Sequence, residues 1–270
     1  LPLCESLNYR DWAGYYAVSA YETHHEHEYN AIRNASALID ISPLFKYRIT
    51  GADATRLLDR VVTRDVSKAR PGQVLYTSWC DGHGKVIDDG TVCRLGEQDY
   101  RLTSAEPSLR WLHRNAFGMQ VAIEEISEAL GALALQGPLS RAVLNAVARD
   151  PVDTLGYFRA MDNRIAGVDF QVSRTGYTGD LGYELWIPAG GALAVWDELM
   201  AAGRDYGILP AGIWALDVAR IEAGLVMLDV DYHSTHHAVI ESQKSTPFEL
   251  SLDWSVALDK GPFQGRDGVL

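Results

Sequence analysis

The chain has 270 residues and 47% of them are hydrophobic, which provides for a sizeable core and one or two domains and excludes a disordered segment. The formal net charge is -12 and the sequence has no basic block, so nucleic acid and anionic membrane surfaces are poor partners. No apolar run approaches the length of a membrane span. The cysteines Cys4, Cys80 and Cys93 lack Cys-x-x-Cys spacing, which favours a reducing compartment, and we expect the cytoplasm.

The first residues, Leu1-Pro2-Leu3, form no basic-then-apolar leader, so the sequence predicts no signal peptide. The absence of an initiator Met predicts that the gene product starts before Leu1.

The first half of the chain predicts strands mixed with short helices. A helix is expected from His24 to Ala37, leading into a strand from Leu38 to Ser42, and the turn Asp81–Gly84 is expected between two strands. The other elements predicted before residue 127 are strands at 46–50, 73–79, 86–95, 100–103 and 120–126, and helices at 53–61 and 108–117.

The second half predicts fewer strands and longer amphipathic helices. Strands are expected at 132–136, 171–174 and 183–187, and helices at 140–148, 191–202 and 213–222. Because strands and helices are mixed without a regular βαβ rhythm, the pattern predicts the α+β class.

The segment from Ser173 to Leu185 carries three glycines, Gly176, Gly179 and Gly182, at every third position. Glycine tolerates positive φ and close backbone approach, so we expect a tight turn between two strands. Tyr177 and Glu184 beside this turn could hold a flat, nitrogen-rich ring by stacking and paired hydrogen bonds. An ordinary hairpin with a solvated glutamate is the alternative.

Several further motifs occur in an order that resembles one known family. They are Ala31-Ile32-Arg33 through Asp40-Ile41-Ser42, Val74-Leu75-Tyr76 followed by Gly84 to Asp89, Leu133 to Pro138, Arg220 to Gly224, and Phe263 to Arg266. Together with the glycine-rich segment, they resemble the glycine-cleavage T-protein family, the tetrahydrofolate-dependent aminomethyltransferases and their demethylating relatives. The resemblance covers nearly the whole chain.

The resemblance implies a T-protein-type fold of two interleaved α+β folate-binding domains followed by a C-terminal barrel. Residues 1–48 and 128–245 would form the folate-binding domain, and residues 49–127 an inserted domain carrying the catalytic aspartate. Residues 246–270 would be a linker to a barrel that is absent or only begun, so we expect a truncated chain.

The same resemblance implies a one-carbon transferase with tetrahydrofolate as cofactor. It would move a methylene or methyl group from a small amine-type donor to N5 of tetrahydrofolate, and its partner in the glycine system would be a lipoyl-bearing H-protein. Asp88 matches the catalytic position and would manage protons and charge near N5. Tyr76, Tyr177, Glu184 and Arg220 match folate-binding positions.

Each of these residues also has a plain structural interpretation. Asp88 and Asp89 are adjacent on a strand, so only one of them can enter a given cavity, and either could be a solvated turn carboxylate. Tyr76 could belong to the strand core, and Arg220 could form an ion pair on the helix surface.

Three positions depart from the family pattern. Leu216 stands where the family commonly has Arg, Pro43 where it often has His, and Leu225–Tyr232 where the glycine-cleavage enzymes have Tyr-Gly followed by an acidic residue. Because of these changes, two alternative functions stay open. One is a demethylase of a small methylated amine, sulfonium or ether, and the other is a folate-binding protein without transferase activity. The iron–sulfur-assembly relatives carry a Cys in the stretch after Gly224, and this chain has none there.

His233 and His237 have i,i+4 spacing that could ligate a metal if the segment were helical. No Cys or fixed carboxylate completes a set, so the sequence predicts polar surface and no metal. No Gly-x-Ser-x-Gly elbow, Gly-x-Gly-x-x-Gly motif or phosphate loop occurs, so the sequence predicts no Ser-His-Asp catalysis and no NAD, FAD or ATP site.

Overall fold

The computed structural model describes residues 3–270; the prediction about the chain start falls on Leu1 and Pro2, outside this range. The chain divides into two compact units. The first runs to Pro43 and resumes at Ser127–Leu225, and the second consists of Leu44–Ile126 and Val226–Leu270.

The sequence prediction placed residues 226–245 in the folate-binding domain and treated residues 246–270 as a linker. Here both segments belong to the second unit, where Leu228 and Tyr232 are buried against Cys80 and Val86.

Residues 3–270 contain thirteen strands and seven α-helices. The strands are β1 (Asn8–Trp12), β2 (Tyr15–Ala20), β3 (Ser36–Asp40), β4 (Phe45–Thr50), β5 (Val74–Cys80), β6 (Val86–Gly96), β7 (Asp99–Ser104), β8 (Ala122–Glu125), β9 (Leu130–Gln136), β10 (Ala160–Ile165), β11 (Val168–Ser173), β12 (Gly182–Pro188) and β13 (Ile208–Pro210). The helices are α1 (Glu26–Asn34), α2 (Ala54–Val61), α3 (Leu109–Asn115), α4 (Ser140–Val147), α5 (Ala192–Ala202), α6 (Ile213–Glu222) and α7 (Arg266–Val269). Across residues 3–270, none of the helices combines the length and the apolar character that a membrane crossing requires.

The first unit is built on a six-stranded sheet in the order β10-β11-β12-β9-β3-β13. All neighbours are antiparallel except β13 and β3, which are parallel. Alternate residues of β12, among them Tyr183, Leu185 and Ile187, are buried in one core with residues of α4 and α5. The strands β1 and β2 form a separate hairpin.

The second unit is built on a five-stranded antiparallel sheet in the order β5-β6-β7-β4-β8. Helices α2 and α3 supply Leu57, Leu58 and Leu112 to its core, which also buries Trp79 and Tyr100 completely. The hairpin of β5 and β6 is the element that carries the predicted catalytic aspartate.

The α+β class predicted from the sequence is confirmed by these two mixed units. Strand β3 lies two residues earlier than expected, because helix α1 already ends at Asn34. The sequence prediction missed β1, β2, β10, β13 and α7. The last two are very short, and an element of three or four residues carries almost no periodicity.

The first unit is held together by the buried carboxylate of Glu28 on α1, which is 1% exposed. Its Oε1 accepts hydrogen bonds from the backbone amides of Tyr21 at 2.6 Å and Glu22 at 3.0 Å. Its Oε2 accepts one from the amide of Gly212 at 2.7 Å, just before α6. One side chain therefore joins the end of β2, helix α1 and the start of α6.

We expect Glu28→Ala to lower the free energy of unfolding by about 3 kcal/mol, because three amides, two of them buried, lose a charged acceptor. Urea denaturation measures this change. Glu26→Ala, on the exposed first turn of the same helix, is the control and should change the free energy by less than about 1 kcal/mol. Equal effects of the two substitutions would contradict the assigned role of Glu28.

Candidate functional site

Asp88 and Asp89 lie side by side on β6 and point to opposite faces of the sheet. The carboxylate of Asp88 is completely buried. Its Oδ1 accepts a hydrogen bond from the amide of Asp89 at 2.7 Å, and its Oδ2 accepts one from the amide of Glu106 at 2.9 Å. Asp88 therefore fixes the backbone of its own neighbour and of the segment after β7.

The environment of Asp88 disfavours its charge. Burial, and then the nearby carboxylate of Asp89, raise the pKa of Asp88 well above its ordinary value, while the two amide hydrogen bonds act in the opposite direction. Like charges on adjacent residues cannot both ionise at their usual pH. The pair therefore holds a proton to a higher pH than two isolated aspartates would.

Asp89 is half-buried and is held by two tyrosine hydroxyl groups. Tyr76 on β5 donates a hydrogen bond to its Oδ2 at 2.8 Å, and Tyr232 donates one to its Oδ1. Burial raises the pKa of Asp89, and the two tyrosine hydrogen bonds partly offset that effect. Of the two aspartates on β6, Asp89 is the one that is partly exposed.

The ring of Tyr76 is fixed by stacking. It lies against the ring of Trp254, with centroids 5.5 Å apart and planes inclined by 20°. The guanidinium group of Arg64 lies 5.5 Å from the centroid of the Trp254 ring. Trp254 is 56% exposed, so Asp89, Tyr76 and Trp254 form a partly open surface of one carboxylate and two rings.

Tyr232 comes from the segment that departs from the family pattern. It is 4% exposed and packs in an apolar cluster with Leu228, Cys80 and Val86. The backbone folds back there, because the amide of Asp229 donates to the carbonyl oxygen of Tyr232 at 2.7 Å. Tyr232 lies 143 positions from Asp89, and no sequence pattern indicated the contact. Sequence reasoning therefore missed this residue.

In the first unit, the glycines of the predicted turn are explained by packing against Gln136. A Cβ atom on Gly176 or Gly182 would lie 2.1 Å from the Gln136 side-chain oxygen. That side chain is itself bound, since Thr178 donates to its Oε1 at 3.0 Å. Gly179 adopts a φ of +79°, which favours glycine. Two of the three glycines thus reflect a close approach of the loop to strand β9, and the third reflects its positive φ.

Glu184 lies on β12 between the buried residues Tyr183 and Leu185, so its side chain is on the opposite face of the sheet. The hydroxyl of Thr175 donates to its Oε2 at 2.5 Å. Glu184 and Tyr177 are both half-buried and belong to the same turn and strand. The structure thus brings these two predicted residues into one segment of the first unit.

Arg220 on α6 is 2% exposed and does not lie on the helix surface. Its Nε is 3.3 Å from Oδ1 of Asp217, and its Nη1 donates to the carbonyl oxygen of Leu225 at 3.1 Å. These bonds join α6 to the chain that follows it. Leu216, where the family commonly has Arg, is buried on the same helix.

His237 lies between two carboxylates of the second unit and not in a helix. Its Nδ1 is 2.8 Å from Oδ2 of Asp229, and its Nε2 is 3.7 Å from Oε2 of Glu106. Nδ1 of His233 is 3.7 Å from Oδ1 of Asp229. Three ligand atoms, one each from Glu106, Asp229 and His237, lie within 4.8 Å of one another. Each ring nitrogen of His237 faces a different carboxylate, which fits an ion-paired histidine.

Comparison with known proteins identifies the family that the sequence motifs resemble. The profile of the family described as GCVT N-terminal domain matches residues 7–260. The chain belongs to this family. Its T-protein-type fold is confirmed by the crystal structure of the glycine cleavage system aminomethyltransferase T from Bartonella henselae. That structure superposes with a TM-score of 0.84 at 25% identity, over 97% of this chain and 69% of the other.

Relatives in the GCVT family differ in their named activities. An aminomethyltransferase of Caldanaerobacter subterraneus subsp. tengcongensis is 36% identical over 248 residues, which is 90% of this chain and 64% of the relative. A trimethylamine-oxide aldolase of Ruegeria pomeroyi is 37% identical over 256 residues, which is 90% of this chain and 31% of the relative. The chain therefore spans about two thirds of the aminomethyltransferase that it matches.

We expect Tyr232→Phe to raise the pKa of Asp89, because a hydrogen bond to the ionised carboxylate is lost. Tyr76→Phe should act in the same direction. A pH titration of the aspartate carboxyl carbons by NMR measures the change. The control is Tyr100→Phe, whose hydroxyl pairs with Thr55 in the same unit. If the pKa of Asp89 is the same in Tyr232→Phe as in the wild-type protein, this hydrogen bond does not stabilise the charged form of the carboxylate.

Proposed function

We propose that this chain binds tetrahydrofolate and acts as a one-carbon transferase, moving a methylene or methyl group from a small amine-type donor to N5 of tetrahydrofolate. An aminomethyl donor would release ammonia, and a methylated amine would leave with one methyl group fewer. The observation that carries the proposal is the half-buried Asp89 held by the hydroxyl groups of Tyr76 and Tyr232, within a chain of the GCVT family. A carboxylate with a raised pKa beside stacked rings is suited to exchange a proton with a bound heterocycle.

The two aspartates have different roles in this proposal. The sequence prediction assigned catalysis to Asp88, whose burial leaves no surface for a ligand. We therefore propose that Asp89 faces the reacting atoms and holds or accepts the proton at its carboxylate. Asp88 would act from behind, by fixing the backbone of Asp89 through a hydrogen bond to its amide.

The chemistry of the first-unit residues fits the proposed ligand. A pterin ring presents an amino group and a ring N–H to an acceptor, and Glu184 is a half-buried carboxylate whose Oε2 is oriented by Thr175. Tyr177 supplies an aromatic ring in the same segment. Tetrahydrofolate, when bound, would supply the nucleophilic N5 that takes the one-carbon unit. Arg220, buried and paired with Asp217, would contribute by holding the end of α6.

The named activities of the relatives, and the positions where this chain differs from the family pattern, indicate which one-carbon donors are candidates. The aminomethyltransferase relative supports the glycine-cleavage version, in which a lipoyl-bearing H-protein delivers the aminomethyl group. The trimethylamine-oxide aldolase supports a methylated amine as the donor. Leu216 and the Leu225–Tyr232 segment favour this second donor, because they depart from the glycine-cleavage pattern. A methylated sulfonium or ether is the remaining alternative.

The binding half of the proposal is tested by calorimetric titration of tetrahydrofolate into the full-length protein. We expect Glu184→Gln to weaken binding by about tenfold or more, which corresponds to ~1.4 kcal/mol. Glu198→Gln, an exposed residue of α5, is the matched control and should leave the affinity unchanged. An absence of binding by the wild-type protein would overturn the proposal.

The catalytic half is tested by measuring methylated or methylene-bearing folate after incubation with methylated amines, or with an aminomethyl-loaded H-protein. We expect Asp89→Asn to lower turnover by about 10²-fold or more while tetrahydrofolate still binds. Folate binding without any turnover would indicate a non-catalytic folate-binding protein. Loss of turnover in Asp88→Asn but not in Asp89→Asn would return the catalytic role to Asp88.

A further inference from the structure

A cavity of about 370 Å³ lies within the first unit, apart from the turn that carries Tyr177 and Glu184. Its walls come from the hairpin of β1 and β2, the end of β3, the segment before β9 and the start of α6. A volume of this size falls in the range of sites for small molecules. The wall is braced by Glu28, whose hydrogen bonds hold the amides of the lining residues Tyr21 and Gly212.

The charges that line this cavity are of one sign. Asp40 and Glu128 are its carboxylates, and no lysine, arginine or histidine is among its lining residues. Within residues 3–270, neither carboxylate forms an ion pair: Asp40 accepts a hydrogen bond from the amide of Ser42, and Glu128 accepts one from the hydroxyl of Tyr15. Both residues are exposed, so their charges give the open side of the cavity a negative potential that attracts cations and that salt screens.

Three tyrosine rings complete the lining. Tyr15 and Tyr16 lie on the β1–β2 hairpin and are 46% and 88% exposed, and Tyr21 is almost fully buried at the end of β2. The charge of Asp40 acts on the hydroxyl of Tyr21: burial first and Asp40 second raise the pKa of that tyrosine. The electron-rich faces of aromatic rings attract organic cations. Exposed rings at the mouth of an acidic cavity therefore suit a ligand that is both apolar and positively charged.

We propose that this cavity binds a small organic cation of the alkylammonium class. Asp40 and Glu128 balance its charge, and the tyrosine rings together with Ile39 and Leu130 contact its alkyl groups. A bare metal ion fits less well, because two carboxylates do not complete a coordination set and rings are poor metal ligands. An anion is excluded by the sign of the lining charge.

The proposal is tested by calorimetric titration of choline into the full-length protein without folate, so that the result does not depend on the proposed transferase activity. The comparison ligand is 3,3-dimethylbutan-1-ol, which has the shape of choline without its charge. We expect choline to bind at least about tenfold more tightly than the neutral alcohol. Potassium chloride at equal ionic strength controls for screening.

Amino-acid substitutions distinguish the contribution of the carboxylate charges to choline binding from that of the tyrosine rings. Asp40→Asn combined with Glu128→Gln should weaken choline binding by about tenfold or more and leave the neutral alcohol unaffected. Tyr16→Leu should reduce the preference for choline over the alcohol, since Leu keeps an apolar surface without a ring face. Asp162→Asn, an exposed acid on β10, is the matched control and should change nothing. Unfolding curves confirm that each variant is folded.

Equal affinities for choline and the neutral alcohol would overturn the proposal, as would choline binding that survives the double substitution. Failure of choline to bind in a saturable manner would do the same.

Discussion

The alternation of side chains along β6 is the constraint on which the proposed site depends. Because successive residues of a strand point to opposite faces, one of two consecutive aspartates must enter the sheet interior and the other must face outward. Asp88 enters, and two backbone amides satisfy it. Asp89 faces outward, where two tyrosines hold it. The charge of Asp89 adds to the effect of burial on Asp88, so the pair keeps a proton to a higher pH than two isolated aspartates would.

Buried carboxylates organise both units in the same way. Glu28 gathers three amides in the first unit, as Asp88 gathers two in the second. A buried acceptor that receives hydrogen bonds from several backbone amides fixes the elements that carry those amides. In the first unit these elements are the wall of the acidic cavity, and in the second they are the hairpin and the segment that follows β7. The backbone of each candidate site is thereby rigid before any ligand arrives.

The sequence predicted the elements with strong periodicity and the residues inside the motifs that resemble the T-protein family. Strands β5, β6, β9 and β12 lie where the alternation indicated, and the adjacency of Asp88 and Asp89 already implied that only one could enter a cavity. Which of the two faces outward could not be predicted, because that depends on the side of the sheet covered by the core. The glycine-rich turn was located correctly, but the packing of Gln136 that requires two of its glycines is a tertiary contact.

The parts of the candidate sites that the sequence did not predict depend on contacts between segments distant in the chain. Tyr232 reaches Asp89 from 143 positions away, and Trp254 stacks on Tyr76 from a 3-10 helix of three residues, Asp253–Ser255. Such segments have no period to detect, and their side chains are placed by the core they meet. The acidic cavity is similarly non-local, since hairpin, strand end and helix start each contribute part of its lining.

The proposed function requires that Asp89, and not Asp88, faces the ligand. The most direct measurement is the carboxyl-carbon NMR spectrum of aspartate-labelled full-length protein during titration with tetrahydrofolate, with signals assigned through Asp88→Asn and Asp89→Asn. We expect the Asp89 signal to shift as the ligand binds, by more than the signal of its buried neighbour. A shift of the Asp88 signal while the Asp89 signal stays in place would contradict it.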